Sequence, residues 1–245
     1  DVCTLSIDTS GEALPRRGYR LATGKAPLRE DLARALLVVS GWDRASPLVD
    51  PFCGAGTILV EADWLARGVP PGHLRRFAFE AAPAFDPARF AELRRRALAG
   101  ARASGPPLIG SDRDAGAVAA ARSNAARAGT VAEIEQAALA VAPGLRPDRW
   151  PARTVVSNLP WGQRTGDDRT LRNLYQSLGN RLRGLPGWRA AIVAADARLA
   201  ASAGLTSRLM TDAGGVKVYF CAGAASAGGA TPPSGVTDGG TAAAS

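Results

Sequence analysis

The fold is decided by residues 47–57, Pro47-Leu48-Val49-Asp50-Pro51-Phe52-Cys53-Gly54-Ala55-Gly56-Thr57. The short apolar run at the start is typical of a buried strand. Gly54 and Gly56 then allow the backbone to turn tightly and a ligand to approach it closely. A helix is expected from Thr57 to about Ala66. The stretch therefore predicts a strand, a turn and a helix, and the turn is either a ligand-binding loop or an ordinary connection.

The turn lacks the two glycine patterns that hold phosphate groups. The dinucleotide pattern G-x-G-x-x-G would need a glycine where Leu59 stands, and the G-K-[ST] signature of nucleotide hydrolases is absent. What remains is a glycine turn that directly follows an acidic strand end, Asp50. Such a turn suits a cationic ligand with an amino group, such as S-adenosylmethionine (AdoMet), better than a pyrophosphate.

Strands and helices alternate outward from this unit. Strands are predicted at 47–50, 108–112, 131–136, 154–157, 190–195, 205–211 and 216–221, and helices at 27–41, 57–66, 87–99, 115–128 and 171–183. This alternation predicts an α/β fold with a mainly parallel, seven-stranded sheet, helices on both faces and a C-terminal antiparallel hairpin. Ligands of such sheets bind beyond the carboxyl ends of the strands, where three loops carry polar residues.

The second of these loops is Ser111-Asp112-Arg113-Asp114. A carboxylate at the end of the second strand can accept hydrogen bonds from both hydroxyls of a ribose, and Asp112 occupies that position. Asp114 stands directly before a predicted helix and is expected to cap it. The alternative is that both residues are caps or solvated loop charges.

The third loop, Ser157-Asn158-Leu159-Pro160-Trp161-Gly162, carries the chemical argument. Pro160 rigidifies the turn and donates no hydrogen bond. Two acceptors can therefore point the same way: the Asn158 side-chain oxygen and the backbone carbonyl of Leu159 or Pro160. They match the two N–H groups of an amino group on a nucleic-acid base, and they would localise the nitrogen lone pair for attack on a methyl sulfonium. Trp161 offers a flat face to a base taken out of its stack. The alternative is a proline turn with a buried tryptophan.

Composition allows a nucleic-acid partner without requiring one. The net charge is +8, and all but two of the 30 basic residues are arginine. This balance suits RNA or DNA, although a GC-rich genome would produce the same arginine excess. Arg75, Arg76 and residues 94–96 form either an RNA-facing patch or a solvated helix face. The three cysteines form no C-x-x-C pair, so no metal site is expected. No run is apolar enough for a membrane span, and a cytoplasmic protein is expected.

Three segments are expected along the chain. Residues 1–26 are interpreted as a lead-in from a missing N-terminal domain, because the chain begins at Asp1 and residues 2–7 alternate like the end of a strand. Residues 27–222 are the predicted catalytic domain. Residues 223–245 are small and polar and are expected to be a disordered tail.

These features together resemble the class I, Rossmann-like AdoMet-dependent methyltransferases. More closely, the chain is similar to the THUMP-associated RNA guanine-N2 methyltransferases of rRNA and tRNA, from about Leu5 to Cys221. The stretches that carry the resemblance are 17–20 (RGYR), 26–30 (APLRE), 50–57 (DPFCGAGT), 76–80 (RFAFE), Asn124 with Gly129, and 158–162 (NLPWG). The last of these is shared with DNA adenine methyltransferases, so the first and fourth stretches are what favour the RNA branch.

The resemblance implies a role for each loop. Asp50, Cys53, Gly54 and Gly56 would line the methionine and adenosine parts of AdoMet, and Asp112 would bind the ribose. Asn158, Pro160 and Trp161 would hold the target base. An upstream THUMP domain would grip structured RNA. One departure is Ala137-Ala138, where the family often has an aspartate for the adenine amino group.

The leading hypothesis is methyl transfer to the N2 amine of guanosine in rRNA or tRNA by a protein expected to be a monomer without membrane association. One alternative is an adenine-N6 methyltransferase of DNA or RNA. A second is a degenerate, non-catalytic RNA-binding module, which the missing aspartate makes conceivable.

Overall fold

The computed structural model describes residues 2–20, 28–161 and 168–225. Its helices are α1 Glu30–Val39, α2 Thr57–Arg67, α3 Pro87–Ala99, α4 Ala115–Ala128, α5 Asp168–Arg183 and α6 Ala197–Ser202. Its strands are β1 Leu48–Asp50, β2 Leu108–Asp112, β3 Glu133–Gln136, β4 Arg153–Asn158, β5 Trp188–Ala194, β6 Thr206–Asp212 and β7 Lys217–Ala224. Short 3-10 turns lie at Ala78–Ala81, Leu139–Val141 and Pro143–Leu145.

The seven strands form one sheet in the order β3-β2-β1-β4-β5-β7-β6. The pairs from β3 to β5 are parallel, whereas β7 runs antiparallel to both β5 and β6. The predicted Rossmann-like sheet with a closing hairpin is therefore confirmed. The chain passes β5 to build the edge strand β6 and then returns as β7 into the gap between them.

Helices cover both faces of the sheet, and each face has its own apolar core. One core joins α1, α2 and α4 to the sheet through residues such as Leu36, Leu59, Ala121 and Val156. The other joins α5 and α6 to the opposite face through residues such as Tyr175, Leu178 and Ile192. Strand β1 is buried over its whole length because it lies between β2 and β4 with helices above and below.

Local sequence fixes where the helices next to the site begin and end. Asp114 caps α4 by accepting a hydrogen bond from Ala117 N at 2.9 Å, and Gly129 ends that helix with a φ of 65°. Helix α2 lies between Gly56 and Gly68, whose φ angles are 81° and 77°. A residue with a side chain rarely adopts these left-handed conformations, so the glycines set both ends of α2.

The first twenty residues differ from the sequence expectation. Residues 2–7 form no strand, and Val2, Leu5 and Ile7 are 96%, 89% and 87% exposed. Their alternation alone cannot make a strand, because a strand needs a partner for its backbone. Further along, Tyr19 is fully buried, and its ring meets that of Trp64 edge-on at 5.3 Å. The described part of the lead-in therefore packs into the fold at Tyr19.

The domain boundary at 222 is also too early, since β7 continues to Ala224. Its backbone pairs there with Arg189 of β5. Sequence reasoning missed the last two residues because Gly223 and Ala224 carry no large apolar side chain. Residues 226–245 of the predicted tail lie outside the described residues, as does Gly162.

Candidate active site

Hydrogen bonds join the turn after β1 to both neighbouring strands. Asp50 is 1% exposed, and its Oδ1 accepts hydrogen bonds from Phe52 N at 3.2 Å and from the Ser157 hydroxyl at 2.5 Å. Cys53 N donates to the carbonyl of Ser111 at 2.9 Å. These bonds join the turn to β4 on one side and to β2 on the other, as the sheet order requires.

The two glycines of the turn serve different purposes. Gly54 has a φ of 51°, and a Cβ there would meet no atom within 4 Å, so this part of the backbone borders open space. A Cβ at Gly56 would lie 3.2 Å from both Cα and Cβ of Ala121 on α4. Gly56 thus permits close packing of α2 on α4, while Gly54 leaves the turn accessible to a ligand.

Asp112, at the end of β2, faces this turn. Its Oδ2 accepts a hydrogen bond from Gly54 N, and its Oδ1 accepts one from Asp114 N, both at 3.0 Å. Each carboxylate oxygen keeps acceptor capacity for a further donor. Asp114 itself caps α4, as expected, so of the two carboxylates only that of Asp112 bonds to the turn after β1.

Asn158 ends β4 and is partly exposed, which places its amide at the same edge as Asp50 and Asp112. Its Oδ1 already accepts a hydrogen bond from the indole N–H of Trp161 at 3.1 Å. The carbonyl of Pro160 accepts one from the Tyr175 hydroxyl at 3.4 Å. Both expected acceptors therefore have donors within the chain, and each has one lone pair left for another donor.

Trp161 does not stand free in solvent. It is half-buried and packs against the core on the α1, α2 and α4 side of the sheet. To stack with a base it would present only its outer face or would have to rotate away from Asn158. The sequence identifies the aromatic residue but not this internal hydrogen bond, which depends on how the corner folds back.

Burial dominates the electrostatics of the turn. The pKa of Asp50 is raised to about 7, mainly by burial and to a smaller extent by Asp112, against the lowering effect of the bonds from Ser157 and Phe52 N. Burial also raises the pKa of the Cys53 thiol, and Asp50 and Asp112 add to that increase. Cys53 is thus a neutral lining residue, and a cationic ligand nearby would favour the charged form of Asp50.

Sequence reasoning missed a polar network that ties the lead-in to the start of α2. The guanidinium of Arg20 donates to Thr57 Oγ1 at 2.7 Å and to Leu28 O at 2.9 Å, and lies 3.3 Å from the Glu30 carboxylate. Glu61, fully buried on α2, pairs with Arg17 at 3.2 Å and with Arg34 at 3.1 Å. The arginines of the RGYR stretch signalled this network, although the motif does not say what they contact.

Of the arginines between 75 and 96, Arg75 fits neither an RNA-facing patch nor a solvated helix face, and Arg94 is bonded within the chain. Arg75 is 6% exposed, and its guanidinium donates to the backbone carbonyls of Ser10, Glu12, Ala13 and Arg16. Arg94 donates to the carbonyls of His73 and Arg75. Both residues hold loops together, and Arg75 is too buried to reach RNA phosphates, whereas the Arg94 side chain is 31% exposed.

Two cavities elsewhere on the surface do not coincide with the three loops. They have volumes of about 550 and 410 Å³, lie at the amino edge of the sheet and are lined by no predicted site residue. No group of three or more His, Cys, Asp or Glu residues in the described ranges could hold a metal ion. Within the same ranges, no helix combines the length and apolar character needed to cross a bilayer.

The types of residue at the carboxyl edge of the sheet suit the chemical groups of AdoMet. Open space lies above Gly54, two carboxylates, Asp50 and Asp112, flank the turn, and the amino end of α2 starts at its far side. Carboxylates suit the sulfonium and ribose hydroxyls, and a helix amino end suits the ligand's carboxylate. At Ala137, the backbone N–H donates to the carbonyl of Asp112 at 2.9 Å, and the methyl side chain has no group to hydrogen-bond with adenine.

Comparison with known proteins agrees with this geometry. The curated relatives include the ribosomal RNA large subunit methyltransferase K/L proteins of Chromohalobacter salexigens, 41% identical over 82% of this chain and 29% of that protein, and of Vibrio campbellii, 39% identical over 75% and 27%. The chain spans less than a third of the length of these relatives. The crystal structure of SMU.472 complexed with SAH superposes with a TM-score of 0.77 and 30% identity, over 88% of this chain and 56% of that one.

The profile of the RMKL-like methyltransferase domain family (UPF0020) matches residues 17–217. This range begins in the RGYR stretch and includes all three site loops and the whole sheet up to the start of β7. The predicted resemblance to Rossmann-like methyltransferases is therefore confirmed, and the chain belongs to the RMKL-like methyltransferase domain family.

Proposed function

We propose that this domain transfers a methyl group from AdoMet to the N2 amine of a guanosine in ribosomal RNA. The observation that carries the proposal is the meeting of three loops at the carboxyl edge of β2, β1 and β4. Asp112 accepts a hydrogen bond from Gly54 of the turn after β1, and Ser157, next to Asn158, donates one to Asp50. Two relatives are named as large-subunit rRNA methyltransferases, and SMU.472 binds SAH, which supports both the substrate class and the cofactor. An RNA substrate also supports a cytoplasmic location.

The cofactor is proposed to lie over the turn after β1. Asp50, Cys53, Gly54 and Gly56 would line it, and Asp112 would accept hydrogen bonds from the ribose hydroxyls. When bound, AdoMet supplies a methyl group activated by the positive charge on sulfur. The acidic residues beside the turn favour that charge, because both carboxylates lie close to the backbone that borders the open space.

The target amine is proposed to bind at the Asn158 corner. Asn158 Oδ1 and the Pro160 carbonyl would accept its two N–H groups through their remaining lone pairs. This pairing withdraws the amine from conjugation with the ring and directs its lone pair away from the protein acceptors. The amine can lose its proton after methyl transfer, so the corner needs no strong base. The exposed face of Trp161 would support the base.

Nucleoside analysis tests this proposal directly. The purified protein is incubated with methyl-labelled AdoMet and rRNA lacking the modification, and the digested nucleosides are identified by mass spectrometry. N2-methylguanosine is the expected product, whereas N6-methyladenosine would support the adenine alternative. Lack of AdoMet binding by calorimetry, even at millimolar cofactor, would support a non-catalytic module.

The variant Asn158→Ala supplies the control. It removes one acceptor for the amine, and we expect methyl transfer to fall at least about hundredfold while AdoMet affinity stays within about threefold. Asn158→Asp keeps the acceptor oxygen and should retain more activity than alanine. Equal losses of transfer and AdoMet affinity in Asn158→Ala would show that Asn158 supports the fold instead.

A further inference from the structure

The strands that carry the two halves of the site separate before they reach it. Strand β1 pairs with β4 at Leu48–Thr154 and Val49–Val155, and the pairing ends there. Strand β4 continues for three more residues, Val156 to Asn158, paired with β5. Asp50 and Asn158 are thus the last residues of two strands that are no longer paired through their backbones at this end.

One side-chain bond bridges this opening. The Ser157 hydroxyl donates to Asp50 Oδ1 at 2.5 Å, and both residues are buried, at 0% and 1% exposure. Asp50 begins the turn that is proposed to bind AdoMet, and Ser157 immediately precedes Asn158. The bond therefore joins the cofactor side of the site to the base side across the junction of β1 and β4, where the strand order of the sheet reverses direction.

We propose that Ser157 is a positioning residue for methyl transfer, setting the separation between the Asp50 turn and the Asn158 corner through its hydrogen bond to Asp50. This inference rests on the proposed function, because it assigns a role within that reaction. Ser157 is fully buried, so in this proposal it touches neither the base nor the cofactor. It acts by keeping the two strand ends at a fixed distance where the backbone ladder does not.

The same bond influences the charge state of Asp50. The carboxyl is buried, and Asp112 from β2 and Cys53 from the turn face it without supplying a positive charge. Burial raises the pKa of Asp50 and donation from Ser157 lowers it, and the net pKa is about 7. Removing the hydroxyl should therefore raise the pKa of Asp50 further and leave less of the carboxylate at neutral pH.

A small error in spacing has a large kinetic effect, since displacement of reacting groups by about 1 Å costs on the order of a hundredfold in rate. We therefore expect Ser157→Ala to lower kcat by roughly tenfold to a hundredfold. AdoMet affinity should fall by a smaller factor, because Asp50 keeps less of its negative charge. Ser157→Thr keeps the hydroxyl and should restore most of kcat. Ser157→Cys keeps the size but has a poor donor and should resemble alanine.

The structure offers a matched control. Thr130 is also a buried hydroxyl that donates to a buried carboxylate, Asp63 Oδ2, at 3.0 Å, but it lies at the amino edge of the sheet. Thr130→Ala should lower the melting temperature about as much as Ser157→Ala while leaving kcat unchanged. If both variants lower kcat in proportion to lost stability, the Ser157 bond is merely structural and the inference is overturned.

A second readout does not depend on catalysis. Carbon-13 NMR of aspartate-labelled protein, with the Asp50 signal assigned by Asp50→Asn, should show a higher pKa for Asp50 in Ser157→Ala and a near wild-type value in Ser157→Thr. An unchanged pKa together with unchanged kcat in Ser157→Ala overturns the inference alone. A wild-type protein that binds AdoMet but methylates no rRNA overturns the proposed function instead.

Discussion

At the scale of single residues, Asp112 and Asp114 have the same side chain but different proposed roles. Asp112 accepts hydrogen bonds from two turns, whereas Asp114 caps α4. We expect Asp112→Ala to weaken AdoMet binding at least about tenfold, because the turn loses its anchor at Gly54 and the ligand loses an acceptor. Calorimetric titration with AdoMet measures this change.

Asp114→Ala is the matched comparison. Loss of an N-cap should destabilise the protein by about 1 kcal/mol in urea unfolding, with little change in AdoMet affinity. Equal weakening of AdoMet binding in the two variants would contradict the assignment of Asp112 as the ligand-binding residue of the pair.

Asp50 should make stability depend on pH. Its pKa is about 7 in the fold, against about 3.9 for an unperturbed aspartate. Between these values the folded protein holds a proton that the unfolded chain releases, so the stability contributed by this carboxyl falls as pH rises through that window. From pH 5 to pH 8, the free energy of unfolding of the wild type should fall by on the order of 2 kcal/mol more than that of Asp50→Asn. Parallel pH profiles of urea unfolding for the two proteins would contradict the shift.

Residue chemistry could be predicted where a motif restricts it, and not where it depends on distant neighbours. The sequence places Asp50, Asp112 and Asn158 at strand ends, and the structure brings them to one edge. It could not show that Trp161 donates to Asn158, or that Arg75 contacts carbonyls more than fifty residues earlier in the chain. Such contacts arise from how separate loops pack, and no local pattern encodes them.

At the scale of elements, the contact between α2 and α4 depends on one missing side chain. Gly56 combines a φ of 81° with a Cβ position 3.2 Å from Ala121. Gly56→Ala should therefore lower the free energy of unfolding by about 2–3 kcal/mol. About 1 kcal/mol comes from the strained backbone and the rest from forcing α2 and α4 apart. The displaced turn should also bind AdoMet more weakly.

Gly68→Ala separates these two costs. Gly68 has a φ of 77° at the other end of α2, and a Cβ there would meet no atom within 4 Å. This variant should lose only about 1 kcal/mol in urea unfolding and bind AdoMet normally. Equal losses of stability in the two alanine variants would show that the packing of α2 on α4 tolerates a side chain at position 56.

Element types were more predictable than element order. Strands and helices alternate visibly in the sequence because each must bury one face at its own periodicity. The insertion of β7 between β5 and β6 leaves no such trace, because the choice of neighbour is made by the assembled sheet. The missing strand at residues 2–7 shows the same limit, since alternation without an available partner strand predicts nothing.

At the scale of the whole molecule, the lead-in and the catalytic core are joined by buried charges. Arg75 binds four carbonyls of residues 10–16, Glu61 pairs with Arg17, and Tyr19 packs on Trp64. Residues 10–20 thus belong to the same packed unit as the sheet, although the sequence suggested a segment from another domain.

This arrangement predicts how the molecule unfolds. Arg75→Leu removes the donors of the four carbonyls and should destabilise the protein by about 2–4 kcal/mol in urea. Arg76→Leu is the control, because Arg76 is 89% exposed and its loss should change stability by less than about 0.5 kcal/mol. Because the lead-in packs directly on α2, we expect Arg75→Leu to unfold in a single transition at a lower midpoint, with faster amide exchange across residues 10–20 and α2 together. An early transition confined to the lead-in, with α2 still protected at the wild-type level, would instead show that the two parts are separate cooperative units.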